Sequence, residues 1–341
     1  MKFFRIFLLT AFTAVAALSC KKEGETEVKY MDGSIRLDFP TYVQPGYRQT
    51  FKLEDIMTVT RPDGGEVGYY YTDPFSGERD TLRTEDGQVL KDSFEIVVED
   101  TLANLSLSAT AFGGDYVNTT GSKTFTIVKP GFGEDCSISG FSISEDDPTF
   151  TDERDGKTYY YTTIGDTRWM RQNLAWEGAG APFRDCEAMN AIFGRYYTWQ
   201  EAQSACPPGW RLPTDGDWAA VAEIYGDTSV PGTDYEGLAG DLMEDLYFNG
   251  TRMWEYWREV DVTNAARLSV MPVGYAGVEA GGHEFDAVYE YAAFWTEVYA
   301  TDEEDGLGVF RYIVTGQDIV YYGNMSKTDF ACSVRCVADA L

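Results

Sequence analysis

From residue 28 to residue 128 apolar and polar positions alternate in short runs. Ile35, Leu37 and Phe39 share one side of a two-residue period, with Arg36 and Asp38 between them. Phe51-Lys52-Leu53, Phe94-Glu95-Ile96, Leu105-Ser106-Leu107 and Phe125-Thr126-Ile127 repeat that period, Tyr69-Tyr70-Tyr71 is a further strand-like run, and Pro62-Asp63-Gly64-Gly65 and Asp86-Gly87 punctuate it as turns. Successive strand side chains point to opposite faces, so each run predicts a short strand with one buried side. No 3.6-residue period interrupts them. The expectation is an all-β sandwich of about 100 residues, set over 31–130.

Lys129-Pro130-Gly131-Phe132-Gly133 ends this block, and from Cys136 the pattern changes. Asp155-Gly156 marks a hairpin turn between two extended segments. Thr198-x-x-Glu201 is a capping box that opens a helix, and Pro207-Pro208 stops it. Thr214-x-x-Asp217 opens a second helix, with Trp218, Val221 and Ile224-Tyr225 expected on its buried side.

At the N-terminus Lys2 and Arg5 precede an apolar run, Ile6 to Leu18, that ends in Ala17-Leu18-Ser19-Cys20. The run falls short of the roughly 20 residues that span a bilayer and reads as an export signal. Cys20, followed by Lys21-Lys22-Glu23-Gly24-Glu25, resembles the end of a bacterial lipoprotein signal, with Ala17 at the position that usually holds leucine. The resemblance implies that residues 1–19 are removed, that Cys20 carries lipid, and that 20–30 form a tether. It implies an outer-membrane lipoprotein at the cell surface, with the membrane as a partner through that lipid.

Charge narrows the function. Against 56 Asp and Glu stand 27 Lys and Arg, a net −29 with pI near 4.2. Nucleic acid is therefore not an expected partner, because phosphate binding needs a basic face. Aromatic residues make up 15% of the chain, too many for a disordered acidic polymer, so the acids lie on folded surfaces. A single histidine, His283, argues against His-based zinc sites and relay chemistry. The five cysteines after Cys20, at 136, 186, 206, 332 and 336, all lie in the second block, where export permits disulfides. No Cys-x-x-Cys pair suggests a metal site. Cys332 and Cys336 cannot pair on one extended strand, since four residues span about 13 Å against a Cα limit of roughly 7 Å.

The second block carries a recurring set of motifs. Asp155-Gly156-Lys157, Ile164-Gly165, Trp169-Met170 and Asn173-Leu174 come first. Tyr197-Thr198-Trp199, Cys206-Pro207-x-Gly209-Trp210-x-Leu212-Pro213-Thr214 and Trp218 follow, then Met271-Pro272-x-Gly274-Tyr275, Phe294-Trp295-Thr296 and Ser333-Val334-Arg335-Cys336-Val337. In this order they resemble the Fibrobacter succinogenes major paralogous domain, over residues 136–341. Arg267-Leu268-Ser269 stands where that family carries a Gly-Phe pair, and 234–262 is unusually acidic. Trp199-x-x-Ala202-x-x-x-Cys206-x-x-Gly209 is also similar to the first helix of C-type lectin-like domains. That similarity implies an α+β fold with its first and last strands adjacent, and a Cys206–Cys336 disulfide. Cys136, Cys186 and Cys332 are then left with one pair at most, Cys186–Cys332 and Cys136–Cys186 both open. The first block resembles the Ig-like or PKD-like spacer modules of bacterial surface proteins. The expected fold is thus multidomain: an N-terminal all-β Ig/PKD-like sandwich and a C-terminal α+β C-type lectin-like domain.

Candidate chemistry is sparse. The loops Thr151–Gly156 and Thr301–Gly306 imitate a calcium loop, but position one is Thr in both and position twelve is Thr162 or Tyr312, so the ligand set fails. No cofactor or metal is expected; calcium is conceivable but has no motif. Gly-x-Ser-x-Gly is missing, and nothing pairs two carboxylates across a cleft. Trp169, Trp199, Trp210, Trp218 and Trp295 fit the family frame as structural residues. Trp254, Tyr256 and Trp257, with Tyr289 and Tyr291, are the candidate ligand-binding residues, since aromatic faces beside acids suit hydroxyl-rich ligands. The expectation is non-catalytic binding of a glycan or surface protein by loops in 234–262 and 278–308. A polysaccharide-acting enzyme using loop carboxylates, or a structural or tip subunit of a surface assembly, is the alternative.

Overall fold

The computed structural model describes residues 28–144, 146–255, 258–297 and 306–340. The protein is mostly β, 40% strand against 12% helix, arranged in several sheets. Up to residue 127 the strands are β1 (Lys29–Tyr30), β2 (Tyr42–Val43), β3 (Arg48–Lys52), β4 (Gly68–Thr72), β5 (Arg79–Arg83), β6 (Ser93–Val97), β7 (Asn104–Phe112), β8 (Tyr116–Val117) and β9 (Thr119–Ile127). Five form a sheet in the order β2-β9-β7-β4-β5, and β3 pairs antiparallel with β6. The alternation is visible in β6, where Phe94 and Ile96 are buried and Glu95 and Val97 exposed. One core draws on both sheets: Phe51 and Phe94 stack at 5.1 Å, packed with Leu107, Phe125 and Ile127. Leu53 departs from the expected strand. It opens a single helical turn, Leu53–Ile56, which buries Ile56.

Past residue 128 the chain builds separate cores. Thr158–Ile164 and Thr167–Met170 form an antiparallel pair, and the last strand, Val337–Asp339, joins them by pairing with Thr167–Met170. Strands Tyr291–Trp295, Leu307–Val314 and Ile319–Ser326 lie side by side in a second sheet. Arg195–Thr198, Phe330–Cys332, Tyr275–Glu279 and Gly282–Asp286 run through a third. Two helices, Trp199–Ala205 and Asp215–Tyr225, each begin with a complete capping box, from Thr198–Glu201 and Thr214–Asp217. Trp218 and Val221 are buried as expected, but Ile224 is 54% exposed: it lies beside the inward stripe of 218, 221, 222 and 225. Cys206, ending the first helix, is bonded to Cys336 with Cα atoms 5.8 Å apart.

Candidate functional site

The site begins with a short sequence, Pro40-Thr41-Tyr42-Val43-Gln44-Pro45-Gly46-Tyr47. Strand β2 covers only Tyr42–Val43, because Pro45 has no amide proton to continue a ladder. The Tyr47 amide then donates to the Gln44 carbonyl at 3.1 Å across Pro45 and Gly46, whose φ of +84° is the one a type II turn requires. Tyr47 is fixed edge-on to Phe39 at 5.5 Å, and its hydroxyl donates to Gln49. β2 is an edge strand paired in parallel with β9. The Thr126 and Val128 amides donate to the Thr41 and Val43 carbonyls, both at 2.8 Å. Residues 41 and 43 thus face β9, so the amide and carbonyl of Tyr42 turn to the open edge, without a partner among the described residues.

Phe183–Met189 packs beside β2, where the Phe183 ring meets Tyr42 at 5.9 Å. Arg184 and Asp185 both have φ +53°, a left-handed conformation that costs a non-glycine residue about 1 kcal/mol or more. Lys157 and Glu177 close one side: the Lys157 ammonium donates to the Ala175 carbonyl at 2.7 Å and to Glu177 at 2.8 Å. That ammonium holds the Glu177 carboxyl below its ordinary pKa. The Asn190 amide nitrogen donates to the same Glu177 oxygen at 2.8 Å, while its Oδ1, buried, has no partner among the described residues. The two walls touch where Gln44 Nε2 donates to the Ala188 carbonyl at 3.3 Å.

Between them lies a cleft of about 850 Å³. One wall offers Pro40, Tyr42, Pro45 and Tyr47; the other offers Asp185, Glu187, Glu177 and Asn190. An adjoining hollow of about 280 Å³ shares Tyr42 and is lined by Phe183, Arg184, Ala287 and Tyr289. Burial pushes the phenols of Tyr42 and Tyr289 up. Ala287 and Tyr289 are left-handed too, at φ +58° and +74°. Four of the eight non-glycine residues with positive φ among those described therefore border the cleft or its hollow. Such backbone strain persists where surrounding structure imposes it, and it clusters at functional sites. The volume lies in the range of small-molecule and peptide sites, which favour junctions between units.

A sequence model of the Fibrobacter succinogenes major domain matches residues 162–338, slightly more than half of the chain. The chain belongs to the Fibrobacter succinogenes major domain family. No curated protein matches it. The family region supplies the wall from Glu177 to Ala191, and the residues before it supply Asp38 to Gln49 and Lys157. The cleft of this family member is thus built half outside the family domain.

The expected site residues scatter. Trp254 is a correction: it is fully buried, and its indole N–H donates to the Val270 carbonyl at 2.9 Å. A ring packed on all sides by core residues has no face for a ligand. Leu238, Leu242, Leu246 and Met253 are equally buried, so much of 234–262 is core and not a binding loop. Tyr256, Trp257, Cys20 and the acidic run Asp302–Asp305 lie outside the described residues. Tyr291 stacks on Tyr312 at 4.9 Å and 14°, Tyr312 stacks on Tyr321 at 5.0 Å, and Tyr275 meets Tyr291 edge-on at 5.4 Å. Near-parallel rings at that spacing cover one another's faces. Tyr312 thus covers one face of Tyr291. Tyr289 lines the hollow beside the cleft.

Cys206–Cys336 is the disulfide that the lectin-like similarity implied. Cys136, Cys186 and Cys332 are free thiols, so neither open pairing forms; Cys186 borders the cleft, and burial pushes the Cys332 thiol well up. Sequence reasoning missed Tyr42, Tyr47 and Asp185. The proline-tyrosine run from 40 to 47 was the available signal; the left-handed Arg184-Asp185 pair has none.

Proposed function

We propose that this family member is an exported lipoprotein, held to the outer membrane through lipid on Cys20, that binds a glycan or a surface protein without transforming it. In this reading an Ig- or PKD-like unit carries a lectin-like family domain, and their junction is the recognition site. The carrying observation is the cleft, with tyrosine and proline faces on one wall and carboxylates and an amide on the other. Such a set stacks on apolar faces and accepts hydrogen bonds from hydroxyls, amides or cations. The N-terminal sequence up to Cys20 supports the anchor. The test is a screen of the full chain against immobilised glycans and surface proteins, with Tyr42→Ala and Tyr47→Ala controls. Binding that both controls weaken supports the reading; binding indifferent to both, or none, overturns it. Cys20→Ala should move the protein from the detergent phase to the aqueous phase.

A further inference from the structure

The cleft has one property that a saccharide site does not need: it runs along an open sheet edge. The amide and carbonyl of Tyr42 point out of the sheet, away from β9, with no partner among the described residues. An extended chain laid along such an edge completes the ladder through alternate residues, and its other side chains enter flanking pockets. Charge narrows the occupant. Asp38, Glu177, Asp185 and Glu187 border the cleft against Lys157, with Arg184 in the adjoining hollow. Glu187 is satisfied by Arg195 at 2.9 Å and Glu177 by Lys157 at 2.8 Å, whereas Asp185 meets only His283, at 3.5 Å, and Asp38 has no ion pair among the described residues. Two tyrosine rings beside carboxylates that no Lys or Arg among the described residues pairs with favour a cationic side chain. Asn190, whose buried Oδ1 has no partner among the described residues, is also among the lining residues.

Resting on the reading that the cleft is the binding site, we propose that its ligand is an extended, basic peptide segment of a protein partner, added as a strand to the open edge of β2.

The test pans a displayed library of random decapeptides against the full chain, then measures synthetic copies of the enriched sequences. Enriched peptides should carry Lys or Arg. N-methylation of alternate residues should abolish binding in one phase and spare it in the other, because only one set of peptide amides meets the edge. Asp38→Asn and Asp185→Asn, both at exposed side chains, should each weaken binding about two- to fivefold at low salt, with an unchanged melting transition as the folding control. Enrichment of neutral peptides, or indifference to N-methylation in both phases, overturns the proposal. A glycan signal lost in Tyr42→Ala, with no peptide enriched, overturns it too while leaving the cleft as the recognition site. Silence on glycans, surface proteins and peptides alike sinks both readings.

Discussion

Buried tyrosines are the residues on which stability at high pH turns. Tyr196 and Tyr197 are fully buried; their hydroxyls donate to the Val273 carbonyl at 2.5 Å and the Trp176 carbonyl at 3.0 Å. Burial raises both phenols well above the ordinary 10.0, and Tyr159 and Tyr291 are raised by the same cause. A group whose pKa is higher folded than unfolded contributes stability that is complete below the unfolded value and lost as pH climbs toward the folded one. Stability should therefore hold to about pH 10 and fall steeply above it. Phenolate absorbance and circular dichroism, followed together in an alkaline titration, should show these tyrosines ionising only as the fold is lost. Smooth ionisation at about pH 10 with the fold intact would contradict the assignment. A second residue-scale expectation concerns Gly274. Its φ is +74°, and a Cβ there would lie 2.0 Å from the Asp286 carbonyl oxygen, which belongs to backbone and cannot swing aside. Gly274→Ala should cost about 3 kcal/mol in denaturant unfolding.

At the scale of elements, the two capped helices are where local sequence and structure agree most closely. The Glu201 amide donates to Thr198 Oγ1 while Glu201 returns a carboxylate to the Thr198 amide at 2.8 Å; Asp217 does the same for Thr214 at 2.7 Å. Thr198→Ala and Thr214→Ala should each cost about 1 kcal/mol. The caps sit on separate helices, so the double variant should lose the sum within about 0.5 kcal/mol; a large excess would reveal coupling through the core. Caps, alternating strands and turns were legible because their causes lie within a few residues. Trp254 was misread for the opposite reason: an acidic neighbourhood suggested exposure, but distant segments around Leu242 and Val270 enclose it. Arg267 is a subtler case. Its φ of +56° is left-handed, a conformation that glycine adopts at less cost. Here the arginine holds Asp147 with contacts at 2.7 and 2.8 Å. The cleft itself was illegible, because its walls come from segments more than 100 residues apart and its edge is open only in three dimensions.

At the scale of the whole molecule, the chain carries its cores in two territories that meet at the cleft. One core uses residues 31–127 alone; the buried residues of the others all come after 127, with half-buried Tyr42 packed against one of them. The junction is small by comparison: the Gln44–Ala188 and Asn249–Ile127 hydrogen bonds, both 3.3 Å, the Val128 amide on the Val43 carbonyl and the Lys129–Asp100 ion pair, both 2.8 Å, and the Tyr42–Phe183 ring contact at 5.9 Å. The disulfide lies wholly on one side, tying Cys206 to Cys336 across 130 residues, and the core it enters includes Trp295, Phe330 and Leu212. A loop that long, once opened, returns about 4–5 kcal/mol of entropy to the unfolded chain. Calorimetry should resolve two transitions, and Cys206→Ala with Cys336→Ala should lower only one of them. The transition of the first territory, which contains no cysteine, should stay in place. A single transition that moves as one body would mean that the small junction couples the two territories. The cleft would then be a rigid feature of one folding unit, whereas two independent transitions leave its width free to adjust as a ligand enters.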